Sequence, residues 1–187
     1  MENLVPIENY WLEGKNWYWE NATKFGITAR ELELLDILDE RAYLTEYACL
    51  QLQKIDRELR TIWLRLVIKD AYRSKELYEL IYHKRVAALG KEDTDKILNT
   101  KGDYPHSTWN TVDVTIVSTS DKKPLQFYLP IENRELQVAS RATDYYEKGD
   151  SEEEKLVHHN RMILKDIMQK YWFEWIAHEY RHFNLTT

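Results

Sequence analysis

One pentapeptide near the end of the chain combines residue types that could bind a metal and move a proton. His178-Glu179-Tyr180-Arg181-His182 places two imidazoles four residues apart, with a carboxylate beside the first. If the segment is helical, both imidazoles lie on one face and can reach the same zinc ion. Glu179 could then act as the base toward a water molecule at that ion.

This pentapeptide resembles the H-E-x-x-H motif of the zincin family of zinc metallopeptidases, which implies a zinc-dependent hydrolase with the two histidines as ligands and Glu179 as the catalytic base. In that family a third ligand follows downstream, where only residues 183–187 remain. A third ligand from upstream would be His83, His106 or a carboxylate brought over by the fold. Zinc-dependent hydrolysis is therefore one alternative for the function.

The same histidine spacing is also typical of side chains packed in an aromatic stripe. On a helical wheel, His178 and His182 share a face with Leu164, Tyr171 and Trp175. We expect this packing role, so the expected cofactor content is none. Zinc bound to the two histidines, and Glu179 as the catalytic residue, belong to the alternative.

Capping boxes and apolar periodicity predict helices on both sides of a segment with strand periodicity. Thr28 and Glu31 form one capping box, and Ser151 and Glu154 form another. Between residues 111 and 129, apolar and polar residues alternate as in two half-buried strands. The sequence predicts an α+β, mainly α fold, in which a small antiparallel β-hairpin precedes a long C-terminal helix. The predicted organisation is a single domain with an aromatic-rich arm at 1–27, helices at 28–90, a loop and hairpin at 91–145, and the long helix at 151–184.

Composition excludes several classes of protein. The 187 residues carry a net charge of −6, which argues against a surface covered with phosphate-binding groups. The one cysteine, Cys49, cannot form an internal disulfide, so a cytoplasmic location is expected. No segment is long and apolar enough to span a membrane, and we expect no membrane partner.

Aromatic residues are concentrated in the arm, where periodicity explains them poorly. Exposed aromatic side chains mark binding surfaces, because they bury a large area with little loss of rotamer entropy. Since no catalytic constellation is complete, we predict a non-enzymatic protein–protein interaction or adaptor module with a regulatory role. Its partner would be another protein, or a second copy through the long helices. The predicted partner-binding residues are Trp11, Trp17, Tyr18 and Trp19.

A basic stretch favours a second alternative, a nucleic-acid-binding regulator. Residues 27–45 resemble the first helix and turn of bacterial winged-helix domains, ending in the polar turn Tyr43-Leu44-Thr45. From Lys54 to Arg85 there are nine Lys and Arg against five Asp and Glu, and a helix predicted from Thr45 to about Lys69 could lie along phosphates. The candidate nucleic-acid-binding residues are Lys54, Arg57, Arg60, Arg65, Lys69 and Arg73.

The predicted hairpin lacks a complete nuclease site. Asp113 could supply one metal-binding carboxylate, but the second strand reads Gln126-Phe127-Tyr128 where an acidic-x-Lys triplet is needed. The sequence also has no Gly-rich phosphate loop and no G-x-S-x-G motif, so nucleophilic catalysis has no visible basis. Asp113 is left without an assigned role.

Overall fold

A five-stranded mixed β-sheet forms the centre of the structure, a computed structural model that describes residues 3–35, 37, 39–95 and 104–186. The strand order is β2-β4-β5-β7-β6, and every neighbouring pair is antiparallel except β2 and β4. The strands are β2 (Glu13–Gly14), β4 (Leu64–Asp70), β5 (Thr111–Ser118), β6 (Phe173–Ile176) and β7 (Glu179–Leu185). A separate antiparallel pair joins β1 (Leu4–Pro6) to β3 (Tyr43–Thr45).

Seven α-helices accompany the strands in the described residues. Both predicted capping boxes are confirmed, at Thr28–Glu31 and Ser151–Glu154. Short 3-10 helices occur at Ile7–Tyr10, Ala22–Phe25 and Pro105–Thr108. The helices are α1 (Trp17–Glu20), α2 (Ala29–Leu34), α3 (Glu46–Arg60), α4 (Lys75–Leu89), α5 (Lys91–Asp95), α6 (Arg134–Ala139) and α7 (Glu152–Lys170).

The main core lies between the sheet and the two long helices α3 and α7. Leu52, Ile55 and Leu59 of α3 are fully buried in one cluster with Val114 of β5 and Leu164 of α7. Burial of each such side chain contributes about 1.5–3 kcal/mol. Asp113 lies on the other face of β5, because successive strand residues point to opposite sides of a sheet. A second cluster is formed by α1, α2, α4 and the residues next to α2.

The predicted helical domain with an inserted hairpin is wrong. The helix that begins after Thr45 ends at Arg60 instead of continuing to about residue 69. Trp63 has a positive φ of 61°, and Leu64–Asp70 then forms a central strand of the sheet. β5 pairs with β4 and β7, whereas the predicted second arm of the hairpin forms no strand in the described residues. The predicted hairpin loop is joined to β5 by an isolated bridge between Val117 and Pro124.

The predicted C-terminal helix over 151–184 is also wrong in its second half. Helix α7 ends at Lys170, and Trp172, with a φ of 70°, turns the chain into the β6–β7 hairpin. The capping box at Thr28 and Glu31 also predicts a helix over about 28–41, of which the structure forms α2, while positions 36 and 38 lie outside the described residues. No helix in the described part of the chain is long and apolar enough to cross a membrane.

Candidate metal centre

The register of three neighbouring strands brings distant residues together on one face of the sheet. Asp113 at the start of β5 pairs with Asp70 of β4 on one side and with His182 of β7 on the other. A register shift between Ile68 and Asp70 moves Asp70 out of the alternation that buries Ile68. His106 comes from the 3-10 helix just before β5. The site therefore combines elements separated by most of the chain.

His106, Asp113 and His182 form a compact group that could hold a metal ion. Their potential ligand atoms all lie within 4.8 Å of one another. Asp113 Oδ1 is 3.6 Å from His106 Nε2 and 3.2 Å from His182 Nδ1. The two imidazole rings are nearly perpendicular, with centroids 4.9 Å apart, and the histidines are only 1% and 4% exposed.

A backbone hydrogen bond fixes the tautomer of His106. Its Nδ1 lies 2.9 Å from the carbonyl oxygen of Ala71, which can only accept a hydrogen bond. Nδ1 therefore carries a proton, which leaves Nε2, on the side of Asp113, as the nitrogen that could bind a metal. Metal-binding histidines are commonly oriented in this way by a carbonyl on their other nitrogen.

The electrostatics of Asp113 suit a bound cation. Burial of the carboxyl group favours its neutral form, but His106 and His182 reverse this effect and lower the pKa of Asp113 well below its usual value. Oδ1 is buried, and no described donor points at it with hydrogen-bond geometry, although both imidazole nitrogens are close. A buried carboxylate oxygen requires a partner. Two imidazoles and one carboxylate are a donor set that fits zinc with an open fourth position.

The group lies in a cleft with a volume of about 580 Å³, which also includes Glu179. On a regular strand Glu179 and His182, three residues apart, would face opposite sides of the sheet. The pairing of β6 with β7 jumps from Trp175–Phe183 to Ile176–Glu179, so three extra residues bulge from β7. This irregularity explains how both side chains reach the same cleft.

Arg73 forms a rigid cationic part of the cleft wall. Its Nε is 3.0 Å from Asp70 Oδ2, and its guanidinium lies over the rings of Tyr18 at 4.9 Å and Tyr78 at 4.1 Å. Burial raises the pKa of Asp70, while the charge of Arg73 opposes this shift. Arg73 is almost fully buried, so its position is set before any ligand binds.

The H-E-x-x-H segment is placed differently from the sequence prediction. It occupies the turn of the β6–β7 hairpin and β7, not a helix. His182 belongs to the three-residue group, whereas His178 is exposed at the cleft rim and lies outside that group. His106 is one of the upstream third ligands that the sequence offers, whereas Asp113 stands in the sequence only as the carboxylate of an incomplete nuclease site. The expectation of no cofactor is wrong, because these residues assemble a group suited to zinc.

The aromatic arm contributes to the cleft. Trp17 and Tyr18 line it and contact each other edge to face at 5.0 Å, and both belong with Trp19 to the second apolar cluster. Trp11 is 81% exposed and lies in a left-handed turn outside this cluster. Within the arm, Trp17 and Tyr18 therefore form part of the cleft wall.

The candidate nucleic-acid-binding residues are distributed over different elements. Lys54, Arg57 and Arg60 lie on α3, Arg65 and Lys69 on β4, and Arg73 in the cleft wall. Arg60 and Arg65 form ion pairs at 2.8 Å with Asp56 and Glu13. Where a winged-helix domain has a recognition helix, the chain forms β4. The resemblance of residues 27–45 to that family therefore does not extend to the fold.

Comparisons with known proteins found similarity to solved structures only. The sequence matches no protein-family model and no curated protein. The LdcB LD-carboxypeptidase is 17% identical with a TM-score of 0.49, over 76% of this chain and 59% of that chain, so this chain spans less than two thirds of the LdcB structure. A mutant of the vancomycin-resistance D,D-pentapeptidase VanY, in complex with Zn(II), is 14% identical with a TM-score of 0.41, over 78% of this chain and 74% of that chain. Both similarities are remote.

The predicted non-enzymatic interaction or adaptor module is wrong. The buried His106–Asp113–His182 group opens into a cleft that also contains Glu179, and an interaction module has no need of such an arrangement. The predicted regulatory and DNA-binding roles are wrong for the same reason. The residues that could take part in a reaction are those of the cleft and its buried polar group. The zinc-hydrolase alternative fits the site better.

Proposed function

We propose that this protein is a zinc-dependent hydrolase whose active site is the cleft above His106, Asp113 and His182. The observation that carries the proposal is the buried Asp113 Oδ1, which faces two imidazole nitrogens and has no well-aligned donor. A zinc ion held by these residues would supply a Lewis acid that polarises a carbonyl group and lowers the pKa of water.

Glu179 is the residue placed to move protons. Its side chain is 30% exposed, lines the cleft and lies three residues before His182 on β7. A carboxylate in this position can accept a proton from a water molecule while the oxygen of that water bonds to the substrate carbonyl carbon. The same proton then passes to the leaving nitrogen as the C–N bond breaks. Arg73, in the opposite wall, is suited to bind a carboxylate or carbonyl oxygen of the substrate.

Peptides are the substrate class that we propose, because the cleft volume suits a short peptide and Arg73 offers a fixed cation to a free carboxylate. LdcB is described in terms of peptidoglycan recognition, and VanY is a D,D-pentapeptidase. Peptides from peptidoglycan are therefore a reasonable first panel of test substrates.

The proposal predicts that hydrolysis depends on one zinc ion per chain. Metal analysis after dialysis against a zinc buffer should give one zinc ion per chain, and mass spectrometry should follow cleavage of the peptide panel. A chelator should abolish cleavage, and added zinc should restore it. The proposal would be abandoned if the protein bound no zinc, or if the zinc-free protein cleaved peptides at the full rate.

A further inference from the structure

The cleft has an excess of positively charged side chains, although the protein as a whole is acidic. The whole chain has a net charge of −6, yet five cationic side chains line this one cleft and only four carboxylates do so. The cations are Lys69, Arg73, Arg85, Arg141 and Arg181, and the carboxylates are Asp70, Asp95, Asp113 and Glu179. A zinc ion would add two further positive charges. A cleft lined in this way attracts anions.

The four carboxylates are already committed to other partners. Asp70 pairs with Arg73, and Asp95 accepts hydrogen bonds from Lys91 and Tyr82, neither of which lines the cleft. Asp113 belongs to the metal centre. Glu179 Oε1 lies 3.8 Å from Arg181 Nε, at the limit of an ion pair. None of the pairs just named involves Arg85 or Arg141.

Unsatisfied polar atoms are concentrated in the same cleft. Over residues 3–95 and 104–186, without 36 and 38, six buried side-chain nitrogen or oxygen atoms have no hydrogen-bond partner. Four of them belong to cleft residues, namely Asp113 Oδ1 and the Nε atoms of Arg73, Arg85 and Arg181. Buried polar atoms in folded proteins are almost always paired, so a cluster of exceptions marks a place for a ligand. The Nε atom of Arg73 still lies 3.0 Å from Asp70 Oδ2, so the Nε atoms of Arg85 and Arg181 are the two donors that require an acceptor.

The cations form two groups on opposite sides of the metal centre. Arg73 lies over the ring of Tyr18 and Arg85 over that of Phe25, and these two rings are 5.7 Å apart. This group borders the β4 side. On the other side, the Tyr180 N–H of β7 donates to the carbonyl oxygen of Arg141, which places Arg141 beside Arg181. Asp113 lies between these sides, because β5 separates β4 from β7.

A buried arginine fixes the position of Arg141. Arg161, which is 0% exposed, donates to the carbonyl oxygens of Ser140 at 2.8 Å and Ala142 at 2.6 Å, on either side of Arg141. Its guanidinium also lies 4.3 Å from the ring centroid of Tyr180. The backbone that carries Arg141 is therefore rigidly held against β7, as a preorganised binding site requires.

From this arrangement we propose that the substrate carries two carboxylates, one on each side of the bond that is cleaved. Arg73 and Arg85 bind one of them, and Arg141 and Arg181 bind the other. This inference rests on the proposed function and specifies its substrate class as a doubly anionic peptide. The planar guanidinium group suits a carboxylate, because it can donate two parallel hydrogen bonds.

Binding of simple dicarboxylates tests this inference without any knowledge of the natural substrate. The probes are the unbranched dicarboxylates from glutarate to suberate, with the monocarboxylates of the same carbon number, titrated calorimetrically into the zinc-loaded protein. At the best-fitting length we expect the dicarboxylate to bind about 10- to 100-fold more tightly, as one additional charged hydrogen-bonding group implies. Equal affinities at every length, or no binding at all, would overturn the inference.

Variants on both walls make the test specific. Arg141→Gln and Arg85→Gln should each remove the preference for two carboxylates, while Arg30→Gln, an exposed arginine of α2 outside the cleft, should retain it. A preference that survives in both cleft variants would contradict the inference. Zinc content is measured on every sample. Retained zinc and hydrolysis without the preference would refute only this inference, whereas failure to bind zinc would refute the proposed function.

Discussion

Replacement of Asp113 by asparagine should weaken zinc binding at least about 100-fold and abolish hydrolysis. Removal of even an outer-shell partner of a zinc ligand typically costs 10- to 100-fold in affinity, and loss of the central carboxylate removes a direct ligand. The variant should still fold, because Asp113→Asn keeps the side-chain volume and removes a buried charge. Competition with a chromophoric chelator measures the affinity, and circular dichroism reports the fold.

Control variants distinguish this three-residue centre from a helical H-E-x-x-H zinc motif. Asp121→Asn changes an exposed loop aspartate and should leave zinc binding unaltered. His178→Ala and His182→Ala form a matched pair, since an H-E-x-x-H helix would use both histidines whereas the observed group uses only His182. We expect His182→Ala to lose zinc and His178→Ala to retain it. Equal losses in the two histidine variants, or full zinc affinity in Asp113→Asn, would contradict the assignment.

Replacement of Glu179 by glutamine should lower the rate of hydrolysis by about 10²- to 10⁴-fold, which is the usual contribution of a general acid–base residue. Zinc content should stay at one ion per chain, because Glu179 is not part of the three-residue group. The rate follows from mass spectrometry of the peptide panel, with zinc measured on the same sample. Glutamine preserves the size of the side chain but cannot accept the proton.

The control for this variant is Glu174→Gln on the neighbouring strand β6. Glu174 is exposed, pairs with Asn184 in the hairpin and does not line the cleft, so its replacement should leave the rate within a few-fold of wild type. If Glu179→Gln hydrolysed peptides as fast as Glu174→Gln, another group would have to accept the proton.

Local sequence patterns were sufficient to predict the structural features that depend on interactions between neighbouring residues. The two capping boxes involve residues only three positions apart, and the side chains themselves satisfy the orphan amides. Helix α3 begins after Thr45, whose hydroxyl accepts from the Ala48 N–H. The helix–strand boundary at Trp63 was missed because Leu59, Ile62 and Leu66 also fit a helical period. The alternation of Leu64, Leu66 and Ile68 was the signal for a strand.

The metal centre could not be predicted from the spacing of its residues in the sequence, because the pairing of the strands brings these residues together. Asp113 and His182 are 69 positions apart in sequence, and only the β5–β7 register makes them neighbours. The H-E-x-x-H motif indicated His182 as a ligand because it assumes a helix, on which residues i and i+4 share a face. The segment forms a turn and a strand instead, so this helical pairing of His178 with His182 does not exist. Glu179 reaches the cleft through the irregular pairing of β6 with β7, and no local sequence pattern predicts this irregularity.

Anomalous X-ray diffraction at the zinc absorption edge, from crystals grown with one equivalent of zinc, tests the central claim most directly. We expect one strong peak at about 2.0–2.2 Å from His106 Nε2, Asp113 Oδ1 and His182 Nδ1, the usual distances for these ligand types. A peak at His178, or a structure of the zinc-treated protein with no peak among the three residues, would contradict it.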